Sequence, residues 1–133
     1  MNVVVDSPIW SKAFRRSTAE IKRETRVLRE LVLESRAQII GAVRQEVLSG
    51  IRHARQFQRL RQRLRAFPDL DLKTADFETA AKISNECRSH GIQGSGTDFL
   101  ICAAAFRRGM LIYTSDLDFD LYAEHVDIRL FHP

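Results

Sequence analysis

Short apolar runs alternate along this chain with longer amphipathic stretches, and this alternation limits the folds that are open to it. Three of these runs have the length and composition of buried strands: Asn2–Val5, Ala37–Ile40 and Met110–Tyr113. Between these runs, apolar residues recur every three or four positions, as they do along one face of a helix. The pattern predicts an α/β fold with a central, mainly parallel sheet of four or five strands flanked by helices.

Further strands and helices complete this prediction. The two additional strands are Leu70–Leu72 and Val126–Leu130. Ser17 and Glu20 form a capping-box pattern at the start of one helix. The predicted helices cover about 19–35, a stretch from Val43, about 55–66, Thr74 or Ala75 to Gly91, Thr97 as the cap to Phe106, and a short stretch from Ser115.

The length and cysteine content of the chain favour one domain in a reducing compartment. The 133 residues contain no Pro/Gly linker and no repeat, so we expect a single domain over 1–133. Cys87 and Cys102 are too few for a disulfide framework, and Cys102 lies in an apolar run that suits a buried thiol. Because neither a signal peptide nor a membrane span is visible, we expect a cytoplasmic protein.

The net charge of +4 is compatible with a polyanionic partner but does not identify one. The stretch Arg52–Arg65 contains six arginines, and four of them would share one face of a continuous helix: Arg52, Arg55, Arg59 and Arg63. Arginine suits phosphate because its planar guanidinium makes bidentate contacts. A run of charge is also typical of a solvated helix face. Both readings stay open.

Four carboxylates lie near positions where strands end or helices begin. Asp6 directly follows Val3–Val5, and Asp116 comes soon after the strand that ends near Tyr113. Glu46 lies about one turn into the helix after the second strand, and Asp98 follows a glycine-containing loop. In open α/β sheets, ligands bind beyond the carboxyl ends of the strands. The four carboxylates could therefore face one place.

A cluster of carboxylates repels itself unless a cation compensates it. Mg²⁺ and Mn²⁺ prefer such oxygen ligands, and a bound ion can activate water for phosphodiester hydrolysis. Each acid also has a structural explanation. Asp98 and Asp116, for example, could complement helix dipoles. The four acids together favour a metal site.

Four segments of the chain carry these acids in a recognisable order. They are Val-Val-Val-Asp6-Ser7-Pro-Ile-Trp10, the stretch from Ile39 through Glu46 to Gly50, the stretch from Gly91 through Asp98 to Ala105, and Leu111-Ile-Tyr-Thr114-Ser-Asp116-Leu-Asp118-Phe119. Together they resemble the motifs of the PIN-domain family. Within that family they are similar to the VapC-type toxins of bacterial and archaeal toxin–antitoxin pairs.

The resemblance implies a three-layer PIN-like sandwich and a Mg²⁺- or Mn²⁺-dependent endoribonuclease. In it, Asp6, Glu46, Asp98 and Asp116 correspond to the family's metal-binding acids. A metal-activated water would cleave RNA to leave 3′-hydroxyl and 5′-phosphate ends. The resemblance also implies a cognate antitoxin as partner, with early helices forming its groove, and a homodimer.

Several neighbouring polar residues have more than one reading. Asp118 could reach the metal or orient a water, or could be a solvated surface residue, and Asp120 is expected to be exposed. Ser7 and Thr114 could hydrogen-bond the carboxylates, and Thr114 could equally be a capping hydroxyl. The Asp-x-Asp-x-Asp run from Asp116 lacks the glycine and final glutamate of an EF-hand, which excludes that calcium loop.

Two other functions are alternatives to a nuclease. A non-cleaving RNA-binding or interaction domain of the same fold would gain nothing from four acids near phosphate. An aspartyl-phosphate phosphatase would need an Asp-x-Asp pair after the first strand, where this chain has Asp6, Ser7 and Pro8. The acids therefore favour the nuclease.

Overall fold

The order of helices and strands follows the predicted α/β alternation. The computed structural model describes residues 1–15 and 22–133. In chain order the elements are β1 (Val3–Val5), α1 (Ser7–Arg15), α2 (Arg23–Leu33), β2 (Ala37–Gln38), α3 (Gly41–Leu48), α4 (Ala54–Leu64), α5 (Thr74–Ser89), α6 (Gly96–Arg108), β3 (Leu111–Tyr113) and α7 (Asp118–Ala123).

The sheet is parallel and has β1 at its centre, in the order β2-β1-β3. Val3 is opposite Ala37 on one side and Leu111 on the other, so both neighbours run in register with β1. All three valines of β1 are fully buried. Because β1 is paired with a strand on each side, Asp6, which directly follows it, is held in a fixed position beside the end of β3.

The predicted number of four or five strands is wrong for the described residues, which contain three. Val126–Leu130 contributes a single bridge, between Ile112 and Leu130. The other bridge joins Ile39 to Asp69, which precedes Leu70–Leu72, and that segment adds only the bond from the Leu70 N–H to the Ile39 carbonyl at 2.9 Å. Pro68 has no N–H to donate, and the N–H of Ile128 bonds within its own turn to the Val126 carbonyl. Each segment therefore touches the sheet edge without extending along it.

Several helix ends differ from the predicted ones. Helix α2 begins at Arg23 with Lys22 before it, and the predicted capping-box residues Ser17 and Glu20 lie outside the described residues. Thr97 does not cap α6. The cap is Ser95, whose hydroxyl accepts the Asp98 N–H at 3.1 Å, so that helix starts at Gly96.

The last helix starts later than predicted. The sequence predicts a helix from Ser115, but α7 begins at Asp118. The reason is local, because Asp116 Oδ1 accepts the Asp118 N–H at 2.9 Å and closes a turn before the helix. None of the helices in residues 1–15 and 22–133 is long and apolar enough to cross a membrane.

Helix α6 packs directly on the sheet and orients the residues at its own N-terminus. It contacts β1 and β3, and α5 packs along it. Ala103, Ala104 and Ala105 are buried there, and their small side chains let the helix approach closely. Cys102 is buried as predicted, and Cys87 is a second buried free thiol.

Helix α1 is fixed beside the end of β1 by an aromatic anchor. Trp10 is fully buried and donates its indole N–H to the Val5 carbonyl at 3.0 Å. Its ring stacks on Phe14 at 5.8 Å and meets Phe67 at 4.9 Å between centroids. Such aromatic contacts and the hydrogen bond hold α1 at a defined angle, which fixes the turn containing Asp6.

Asp76 joins the start of α5 to the end of α6. Its side chain is fully buried. It accepts the Lys73 N–H at 2.7 Å and guanidinium N–H groups of Arg107 and Arg108 at 2.7–2.9 Å. The Arg108 hydrogen bonds in particular hold the pKa of this carboxyl well below its usual range. The Asp76 carboxylate is therefore charged and links the start of α5 to the end of α6 by hydrogen bonds and ion pairs.

Candidate active site

Asp6 and Thr114 lie together where β1 and β3 end. The Asp6 N–H donates to the Tyr113 carbonyl at 2.9 Å, which ties the two strand ends to each other. The Thr114 hydroxyl donates to Asp6 Oδ2 at 2.7 Å and accepts the Asp116 N–H at 3.0 Å. Thr114 thus links the first and the last of the predicted acids, in agreement with its predicted contact to a carboxylate.

Ser7 connects Asp6 to Glu46. The Ser7 N–H donates to Asp6 Oδ1 at 2.8 Å. The Ser7 hydroxyl lies 2.6 Å from Glu46 Oε1 and 3.4 Å from Asp6 Oδ1, so the donated bond to Glu46 is the stronger one. Because Glu46 comes from α3 and Ser7 from α1, this bond also fixes the relation of those two helices at the site.

Tyr122 holds the Asp98 side chain, a role that the sequence did not indicate. The Tyr122 hydroxyl donates to Asp98 Oδ2 at 2.7 Å, and the tyrosine is fully buried. Burial and the neighbouring Asp98 carboxylate raise the pKa of Tyr122, so its hydroxyl stays protonated as a donor. Sequence reasoning had no signal for this role, because an aromatic residue in a short amphipathic helix is first read as core.

The carboxylates are close enough to influence one another electrostatically. The pKa of Asp6 is raised, chiefly by burial, and repulsion from Asp98 and Glu46 adds to the effect. The pKa of Asp98 is also raised, again chiefly by burial and further by Asp116. Only 3% of Asp6 is exposed. A negative, partly desolvated cluster of this kind attracts a cation.

The structure thus brings together the four predicted acids, whereas Asp118 and Asp120 stand further out. Asp118 is exposed, and its backbone N–H supports Asp116, while Asp120 is exposed as predicted. Within residues 1–15 and 22–133, no three histidine, cysteine, aspartate or glutamate side chains are arranged so that they could hold a metal ion as they stand. Metal binding by these acids stays a prediction.

Most arginines of the stretch Arg52–Arg65 are exposed, but the helix is not continuous over all four residues that would then share one face. Helix α4 begins at Ala54, so Arg52 precedes it, and only Arg55, Arg59 and Arg63 share its surface. Arg63 lies over the Phe14 ring at 4.6 Å to the centroid. At least this arginine therefore has a packing role, and contact with RNA along the stretch stays a hypothesis.

Comparisons with known proteins assign the family. The PIN-domain family model matches residues 3–125, which is most of the chain. The chain therefore belongs to the PIN-domain family, and its resemblance to the VapC-type proteins is confirmed. It is 30% identical to ribonuclease VapC11 of Mycobacterium tuberculosis over 131 residues. This alignment covers 96% of each of the two chains.

Solved structures confirm the fold. The chain is similar to FitAcB from Neisseria gonorrhoeae, with a TM-score of 0.78, 20% identity and coverage of 98% of this chain and 97% of the other. It is also similar to a toxin–antitoxin complex from Klebsiella pneumoniae, with a TM-score of 0.67, 21% identity and coverage of 89% and 90%. The predicted α/β PIN-like fold is therefore confirmed.

The close approach of Gly94 to Tyr122 leads to a stability prediction. A Cβ added at Gly94 would collide with the Tyr122 hydroxyl and lie 2.8 Å from Phe99 Cζ. We expect Gly94→Ala to lower the free energy of unfolding by about 1–3 kcal/mol, because the buried Tyr122 must move. Urea denaturation would measure this change.

Gly96→Ala is the matched control for that prediction. A Cβ at Gly96 meets nothing within 4 Å, and the residue starts α6, where alanine is favoured over glycine. We therefore expect no loss of stability in this variant. Equal effects of the two substitutions would contradict the close packing of Gly94 on Tyr122.

Proposed function

We propose that this protein is a Mg²⁺- or Mn²⁺-dependent endoribonuclease and the toxin of a toxin–antitoxin pair, formed as one domain over 1–133. The observation that carries the proposal is the convergence of Asp6, Glu46, Asp98 and Asp116 beyond the carboxyl ends of β1 and β3. A relative that covers 96% of the chain is named a ribonuclease, which supports this substrate class. The cytoplasm, where RNA substrates are found, is the proposed location.

The donor set fits a hard divalent cation. Four carboxylates offer only oxygen ligands, the kind that Mg²⁺ and Mn²⁺ prefer, and Asp6 and Asp98 are partly desolvated. Asp6, Glu46, Asp98 and Asp116 would hold the ion, with Asp118 as an outer candidate. When bound, the ion supplies an activated water and stabilises the charge that develops on the phosphate during hydrolysis.

The chain's own residues keep these carboxylates available and oriented. Ser7 and Thr114 donate to Asp6 from two directions, so its carboxylate cannot rotate freely. Tyr122 fixes one oxygen of Asp98 and leaves Oδ1 without that bond. These neutral donors hold the acids without neutralising their charge, which leaves the charge for a cation.

A groove on α1, α2 and α4 supports an antitoxin partner. The groove has a volume of about 370 Å³ and is lined by Phe14, Leu28, Val32 and Phe67, with Arg29 and Arg63 beside them. Leu33, also in its lining, is 78% exposed. Such a surface suits a partner with apolar anchors and carboxylates. The solved toxin–antitoxin complex with the same fold supports this assignment, and a homodimer is implied by the family resemblance.

Removal of metal should abolish the activity. We expect purified protein free of antitoxin to cut total cellular RNA into discrete fragments with Mg²⁺ or Mn²⁺, and to leave it intact in EDTA. Ends with 5′-phosphate and 3′-hydroxyl are expected from attack by water. Gel analysis and end-labelling would measure both results.

The outcome of that experiment separates the two functions. Cleavage that persists in EDTA would contradict metal dependence. Intact RNA with folded protein under all metal conditions would favour a non-cleaving RNA-binding or interaction domain of the same fold. Since a binding surface gains nothing from four acids near phosphate, we expect cleavage.

A further inference from the structure

A small polar pocket opens beside the candidate active site. It lies between the C-terminal half of α5 and the loop that leads into α6, and it has a volume of about 210 Å³. Its lining consists of Ser84, Arg88, Ile92, Gln93, Gly94 and Phe99. Pockets for drug-sized ligands measure roughly 300–1,000 Å³, so this one suits a smaller group, of the size of a single nucleobase.

Two of the residues that line the pocket, Gly94 and Phe99, connect it to Asp98. Gly94 packs on the Tyr122 hydroxyl, and that hydroxyl donates to Asp98 Oδ2 at 2.7 Å. Phe99, which forms part of the pocket wall, directly follows Asp98 in α6. A group bound in this pocket would therefore be separated from Asp98 by a single residue, Tyr122 or Phe99.

Three polar side chains of the pocket have hydrogen-bonding capacity to spare. Within the described part of the chain, Ser84, Arg88 and Gln93 have no side-chain hydrogen bond or ion pair to the protein. A guanidinium group binds phosphate in bidentate fashion, and an amide both donates and accepts, as the edge of a base requires. The half-buried Ile92 adds apolar surface for the face of a base, and the buried Phe99 forms the apolar wall of the pocket behind it.

The charge of Arg88 complements its surroundings. A cluster of carboxylates repels the phosphates of an RNA strand, so substrate binding needs positive charge nearby. Arg88 is exposed at the pocket and is not neutralised by an ion pair within the described residues. Single-stranded RNA is recognised by proteins that take up splayed bases and bond their edges, which is the ligand that this combination of groups fits.

We propose that this pocket binds one unpaired nucleotide of the RNA substrate beside the bond that is cut, with Arg88 on its phosphate and Gln93 on the edge of its base. The proposal rests on the ribonuclease function proposed above and adds a source of sequence preference to it. Arg88 and Gln93 are exposed, so their replacement leaves the core intact.

The first test measures RNA binding without cleavage. A labelled single-stranded RNA of random sequence is titrated with protein in EDTA, and fluorescence anisotropy gives the affinity. We expect Arg88→Ala to weaken binding by about ten- to a hundredfold, as for loss of a charged hydrogen-bonded contact. Arg129→Ala, which removes an equal charge from another exposed position, should change the affinity little.

The second test reads the sequence preference. Sequencing of the cut ends from a random RNA pool, with metal, gives the preference at each position around the cut. We expect Gln93→Ala to flatten the preference at one position next to the cut and to leave the other positions unchanged. Wild-type protein supplies the reference profile.

The outcomes separate this proposal from the proposed function. If wild-type protein cuts no RNA, the nuclease fails, and the binding test in EDTA still decides the pocket. Equal losses of RNA affinity in Arg88→Ala and Arg129→Ala would overturn the proposal that the pocket binds a nucleotide. Absence of RNA binding by wild-type protein would overturn it as well. An unchanged cleavage profile in Gln93→Ala would overturn the role of that residue.

Discussion

Replacing Asp98 by asparagine is expected to lower RNA cleavage by about two to three orders of magnitude. The substitution keeps the shape of the side chain and an oxygen that can accept from Tyr122, but it removes one negative charge from the proposed metal site. A metal ion contributes several kcal/mol of transition-state stabilisation, and each 1.4 kcal/mol corresponds to about tenfold in rate. Initial rates on a defined RNA at saturating Mn²⁺ would measure the loss.

Folding must be separated from activity in that comparison. Burial raises the pKa of Asp98, so the charged form is disfavoured in the folded, metal-free protein. The asparagine variant should therefore be at least as stable as wild type in urea with EDTA. Asp120→Asn, on exposed α7 surface, should keep full activity. A fully active Asp98→Asn would remove this residue from the proposed site.

Replacing Asp76 by alanine should lower the free energy of unfolding by about 2–4 kcal/mol. The fully buried carboxylate accepts from Lys73, Arg107 and Arg108, and charge-assisted hydrogen bonds are worth more than neutral ones. We expect a smaller loss of unfolding free energy than for a fully buried ion pair, because Arg107 and Arg108 are partly exposed and can be hydrated in the variant. Urea denaturation at neutral pH would measure the change.

The effect of Asp76 should depend on pH in a defined direction. Its folded-state pKa lies below the ordinary value of 3.8, so the stabilisation is fully present above that value. It is lost as the pH falls through the folded-state pKa, and the difference between wild type and Asp76→Ala should shrink on acidification below about pH 4. Asp71→Ala, which removes only an exposed ion pair with Lys73, should have little effect at any pH. If the difference in unfolding free energy between wild type and Asp76→Ala stayed constant from neutral pH to below about pH 4, the contribution of the Asp76 charge would be contradicted.

The positions of the four acids could be predicted because each depends on a short local pattern. Asp6 follows a fully apolar run that only a buried strand explains, and Asp98 follows a glycine-containing loop before a helix. A parallel sheet then places strand ends at one edge, which brings distant acids together without any knowledge of side-chain contacts. The fold class was predictable for the same reason.

The contacts that hold those acids could not be predicted. The bond from Tyr122 to Asp98 joins two residues 24 positions apart, and its donor lies in a helix whose aromatic residues are all consistent with a core. The helix cap at Ser95 was missed because Ser95 and Thr97 are equally good capping residues, and only the path of the loop decides between them. The segments after Pro68 and Val126 look like strands, but their pairing is set by tertiary contacts.

Diffraction from crystals soaked in Mn²⁺ would test the central claim most directly, because anomalous scattering locates the ion independently of activity. We predict one or two peaks among the carboxylates of Asp6, Glu46, Asp98 and Asp116, with these side chains turned towards the ion, and none in crystals soaked in EDTA. A map with no peak among these carboxylates at saturating Mn²⁺, or with manganese bound only elsewhere, would contradict the claim that these four residues form the metal site.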